Sequence, residues 1–219
     1  MTRAWTRATA DDSLDGLRDR LAAADCGYEP GDGYEDHCWL LTPLYDETGA
    51  RHRWHDVLAR AGTRLADRPR PFSYLTFEGV EGADALEGVM GGEIDRTTLT
   101  ALVPHLARHS AAGGATPCGA AQAPVTNSPG VPLGSAPEPA VPLIAWRGPL
   151  SDAPAHHDAA PHHCFPATWW AADGSWLVLT NVDLSATEVF GSAALIADLL
   201  ADPELEAVRA PTLAETFGA

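Results

Sequence analysis

The 219-residue chain has no lysine: its 14 basic residues are all arginine, set against 30 aspartates and glutamates for a formal charge of −16. Schiff-base chemistry on a lysine amine is therefore excluded. The acidic excess repels phosphate backbones, whose capture rests on Lys and Arg, so neither nucleic acid nor an anionic membrane surface is expected as a partner. No G-x-S-x-G elbow and no G-x-x-x-x-G-K-[ST] loop occurs, which removes hydrolases of the first kind and nucleotide enzymes of the second. The four cysteines, Cys26, Cys38, Cys118 and Cys164, are scattered and form no C-x-x-C pair. A disulfide framework, a zinc ribbon and a thioredoxin-like motif are excluded on that ground. No apolar run approaches the ~20 residues that span a bilayer, and the opening MTRAWTRATADDSLDGL holds no apolar stretch of the signal-peptide kind. A soluble, cytoplasmic protein away from membranes is expected.

What is present suits a globular protein. Hydrophobic residues make up 45% of the chain and charged residues 20%, too apolar a balance for a disordered polymer. Leu14, Leu17, Leu21 and Ala24 recur at helical spacing behind an Asp12 or Ser13 cap, predicting an amphipathic first helix. Asp11, Ser13, Asp15 and Gly16 echo a calcium loop, but Ala22 stands where a closing Glu is required, and the capped helix is preferred. A short strand is expected around residues 37–42. Trp54, Val57, Leu58 and Ala61 then predict a helix closed by Gly62. His37, His52 and His55 read as solvated or capping residues. A second strand is expected over residues 71–79. Leu99, Leu102, Val103 and Leu106 mark another helix, in which Pro104 is tolerable if Thr100 is the N-cap. This helix carries His105 and His109 one turn apart; without an intervening Glu they read as residues favoured by the helix C-terminal dipole rather than as metal ligands.

Composition changes at residues 111–140, which hold six prolines and five glycines with almost no charge. The expectation is a linker or long surface loop, with Cys118 exposed there and open to oxidation. Beyond it, PLIAWRG and SWLVLTNVD read as strands. Leu195, Ile196, Leu199 and Leu200 form the buried face of a helix capped by Ser192 and ended by Asp202-Pro203. The resulting expectation is an α+β fold: an N-terminal half over 1–110, the linker over 111–140, and a C-terminal half over 141–219, with sheet strands contributed by both halves. A pattern of strand, turn and amphipathic helix recurs in the two halves, which suggests related units or the coincidence of common elements.

The run FPATWWAADGSWLVLTNVDLSATEVFGSAALIADLLADPELEAV, together with GEIDRTTLTALVPHLARH, resembles a group of uncharacterised proteins from high-GC Gram-positive bacteria. That group carries a W-x-x-D-x-[AS]-W run, a strand with a Val-Asp or Ile-Asp turn, a Gly-Ser helix start and an A-D-P-x-L-E-A tail. The resemblance covers the last 60 or so residues and implies no activity.

The densest chemistry lies in HHDAAPHHCF, residues 156–165. Neighbouring residues of an extended segment point in opposite directions, so His156 and His157 do not readily chelate one ion. A turn at Pro161 would bring His157 to face His162, with His163, Asp158 or Cys164 nearby, a donor set suited to zinc. Pro154, Pro161 and Pro166 mark the segment as a loop, which lacks the rigid support that metal sites rest on. Two functions follow. The first is a non-enzymatic binding or regulatory protein, an immunity-type inhibitor being one form. It would need no cofactor and would engage a basic protein partner through its acidic surface and exposed aromatics, Trp169 and Trp170. The alternative for those tryptophans is that they cover the sheet. The second function is a metal-dependent enzyme or metal-binding protein using His157, His162, His163 and Cys164, with zinc as the cofactor.

Overall fold

The computed structural model describes residues 5–8, 33–60, 62, 87–88, 94–122, 144–159, 168–180 and 186–209. The predicted helix before residue 25, the predicted strand over 71–79, and His162, His163 and Cys164 lie outside them. The strands are β1 (Thr6–Ala8), β2 (Asp36–Leu41), β3 (Leu44–Tyr45), β4 (Arg51–His52), β5 (Glu87–Gly88), β6 (Pro117–Gln122), β7 (Ile144–Pro149), β8 (Thr168–Ala171), β9 (Trp176–Thr180), β10 (Ala186–Gly191) and β11 (Ala207–Arg209). The helices are α1 (Trp54–Arg60), α2 (Arg96–Arg108), α3 (Ala153–Ala159) and α4 (Ala193–Ala201).

Eight strands form one antiparallel sheet in the order β1-β7-β6-β8-β9-β10-β2-β11, and β4-β3-β5 form a smaller one. The fold is α+β, and strands from before and after residue 110 share the large sheet. Both faces of its centre are buried, so β9 (WLVLT) and β10 (ATEVFG) are buried at every position rather than at alternate ones. One face, with Cys38, Cys118, Ala120, Trp169, Trp176, Val178 and Val189, packs against Leu99, Leu102 and Leu106 of α2 and Leu195, Ile196 and Leu199 of α4. On the other, Trp39, Leu41 and Ala186 meet Trp54, Val57 and Leu58 of α1. Further along that face stand Ala121, Trp170, Leu177, Leu179 and Phe190.

Local chemistry sets the helix ends. Asp95 caps α2 by accepting from the Thr97 and Thr98 amides at 3.0 and 3.1 Å. Ser192 Oγ accepts from Leu195 N at 3.2 Å, and Gly62 at φ +69° follows α1. With Asp95 as the cap, Pro104 falls in the helix interior instead of the first turn. A proline there costs about 3 kcal/mol. The helix continues through it because the ring is exposed while Leu99, Leu102 and Leu106 bury the opposite face.

Two expectations are overturned. The Pro/Gly-rich segment does not begin as a linker, since β6 pairs with both β7 and β8 near the middle of the sheet. Its glycine has a packing cause: Gly119 stands opposite Trp170, and a Cβ at that position would lie within the indole. Residues 153–159 are helical rather than loop. Pro154 sits in the first turn, where no intrahelical amide partner is lost.

Candidate functional site

The described part of the histidine segment lies on α3. His157 is 7% exposed, and its Nδ1 has no hydrogen-bond partner among the described residues, although Asp158 Oδ1 is 3.5 Å away. The His156 ring stacks on Trp5, with centroids 5.2 Å and planes 12° apart, and the Trp146 ring lies 5.8 Å away, tilted by 59°. Burial lowers the pKa of His156, with the neighbouring His157 adding to the shift. Asp158 accepts from Arg96 Nε of α2 at 2.7 Å, a bond that holds its carboxyl below the usual range. The helix thus commits His156 and Asp158 to packing and pairing and turns His157 inward. Among the described residues no group of three His, Cys, Asp or Glu side chains is placed to hold a metal ion.

Trp169 and Trp170 are not exposed. Trp169 is 0% and Trp170 6% exposed, because successive residues of β8 point to opposite faces of a sheet covered on both. Trp169 packs edge-on to Trp176 at 5.1 Å. Trp170 lies over Gly119. Cys118 is likewise buried, at 3% exposure, and burial pushes its thiol up to about 12; Cys38 is buried and shifted in the same direction. Neither is a thiolate nucleophile at neutral pH.

His105 and His109 are structural, but their partners are carboxylates rather than the helix dipole alone. Arg108 Nη2 donates to His105 Nδ1 at 2.7 Å. A guanidinium only donates, so Nδ1 is the acceptor and Nε2–H donates to Asp202 Oδ2 at 2.6 Å. One turn on, His109 Nε2 meets Asp198 Oδ2 at 2.9 Å. His105 of α2 and its C-cap His109 thereby meet Asp202, the C-cap of α4, and Asp198 of α4. The bond from His109 holds Asp198 below its ordinary pKa. His52 similarly pairs with Asp46 at 2.8 Å. His37 is buried with its ring stacked on Phe190 at 5.3 Å, so it is not solvated as its sequence context suggests.

The least expected titratable group is Glu188. It is 2% exposed in β10, opposite Trp39 of β2 and Leu179 of β9. Desolvation raises its pKa to about 7, and the 2.9 Å hydrogen bond from Trp39 Nε1 only partly offsets this. Such a carboxyl is the kind of group functional sites employ. Its sequence signal was an acid between apolar residues in ATEVFG, legible only once that segment is known to be a strand. The nearby depression between Leu41, Pro43, Asp95 and Thr187 is too shallow to enclose a small molecule. Comparison with family models, curated proteins and solved structures returns no match to this chain.

Proposed function

We propose that the chain is a non-enzymatic binding or regulatory protein of the cytoplasm that engages a basic protein partner, in the manner of an immunity-type inhibitor. The observation that carries this reading is the net charge, since on the described surface exposed arginines (Arg7, Arg60, Arg96, Arg108, Arg147, Arg209) are interspersed with the exposed acids. Glu35, Glu47, Asp56, Asp158, Asp173 and Glu204 are exposed on a chain with no lysine and a net charge of −16. A field of one sign accelerates encounter with a partner of the other and suppresses wrong pairings. The buried Trp169 and Trp170 play no part, so recognition rests on charged and polar side chains. Membership of the high-GC Gram-positive group is part of the same proposal. The test is affinity capture on the tag-free chain, followed by titration of each recovered basic protein over a salt series. A stoichiometric complex that weakens with salt, and weakens again in Glu47→Arg/Asp56→Arg or Glu35→Arg/Glu204→Arg, supports the reading. Absence of any such complex at low salt refutes it.

A second reading, a metal-binding protein or metal-dependent enzyme using His157 with His162, His163 and Cys164, is favoured by the burial of His157, whose Nδ1 among the described residues has only Asp158 Oδ1 nearby, at 3.5 Å. Zinc would be its metal, acting as a Lewis acid or activating water. Near-stoichiometric zinc in tag-free protein, lost in His157→Ala/His162→Ala, supports it; metal-free protein refutes it.

A further inference from the structure

The edge strand β1 is held by a site built for one indole. The β1–β7 register pairs Thr6 with Arg147 and Ala8 with Ala145, and its continuation places Trp5 opposite Gly148. A Cβ at Gly148 would fall within the Trp5 ring, so only glycine leaves room for it. The indole N–H donates to Pro149 O at 3.0 Å. The imidazole of His156 stacks on the indole at 5.2 Å. Glycine floor, carbonyl acceptor and aromatic lid together bury Trp5 to 7% exposure. By contrast, the strand it anchors is three residues long and, among the described residues, pairs on one side only.

We infer that this slot is a strand-binding site whose occupant, residues 5–8, is exchangeable with the same residues of a second copy. The ligand is defined by the chain itself: an extended segment that adds to the β7 edge by backbone pairing and is selected by its tryptophan, the mode of β-strand addition. The segment is joined to β2 by the 27 residues between Ala8 and Asp36, so its pairing with β7 is not fixed by a short turn to the next strand in sequence. An identical slot on each copy makes the exchange symmetric and closed, which is the low-cost route to a swapped dimer.

The experiment uses the full-length Trp5→Ala chain, whose slot has lost its indole, and a fluorescent peptide of residues 3–10, RAWTRATA. Saturable one-to-one binding is expected by anisotropy, at least about tenfold weaker on the wild-type chain, whose slot is filled. A peptide with Ala in place of Trp should bind roughly 30-fold more weakly, as expected for a buried aromatic anchor. No binding to a cooperatively folding Trp5→Ala chain, or equal binding of the two peptides, overturns the proposal. Should that variant not fold, wild-type chain with millimolar peptide is followed by hydrogen exchange. Faster exchange of amides 6–8 is expected, and unchanged exchange overturns the proposal. The same wild-type chain refolded at high concentration is expected to give dimers in sedimentation that excess peptide dissolves. A chain that stays monomeric overturns exchange between copies.

Discussion

Glu188→Gln isolates a buried carboxyl whose protonation the fold controls. Its pKa rises from 4.5 to about 7 on folding, with desolvation as the first cause. Because the folded state holds the proton more tightly, the contribution of Glu188 is fully present below pH 4.5 and declines as pH rises through about 7. Above that the loss is complete and constant. A shift of about 2.5 units at about 1.36 kcal/mol per unit amounts to roughly 3 kcal/mol, a large part of a typical domain's stability. Glutamine keeps an oxygen to accept from Trp39 Nε1 and cannot ionise. Urea unfolding of both proteins at half-unit steps from pH 4.5 to 8.5 is the assay. The stability of Glu188→Gln relative to wild type should climb by about 3 kcal/mol across that range and level off above pH 8. Surface acids held below their usual range, such as Asp46 and Asp158, titrate at lower pH and cancel in the difference. Parallel pH profiles would refute the reasoning, because they would mean that the folded protein does not desolvate this carboxyl.

Other perturbations test separate parts of the structure. Gly119→Val should drive the Trp170 ring from its seat in a central strand and destabilise by about 3 kcal/mol, the upper end for overpacking; a change under about 1 kcal/mol in chemical denaturation would count against that packing. A double-mutant cycle on His105→Ala and Asp202→Asn should give a coupling of about 1 kcal/mol at pH 7, since the pair is partly buried and Arg108 fixes the tautomer; additive effects would refute the link between α2 and α4. Cys38 and Cys118 should resist iodoacetamide in the folded protein at pH 8 and react on unfolding, as peptide mapping would show; rapid native labelling of either contradicts their burial.

Much of this protein was legible in the sequence because the signals were local. The stripe Leu195, Ile196, Leu199, the Ser192 cap and the Asp202 stop lie within one helix and its flanks, and the structure has them where the pattern places them. The same holds for α1 and Gly62, for β2 around residues 37–42, and for a sheet shared by both halves of the chain. Tertiary structure decided whatever depended on a distant partner. Pro/Gly composition argues for a loop until Trp170, 51 residues away, requires a glycine opposite it, and β6 then becomes a central strand. The tryptophans at 169 and 170 pass for surface anchors until the sheet is covered on both faces, which periodicity in one strand does not reveal. His105 and His109 find their acids 97 and 89 residues further on. Glu188 is an ordinary acid by sequence; packing strips it of water. Caps and helical stripes are short-range physics written in neighbouring residues, whereas burial, charge pairing and pKa belong to the packed whole.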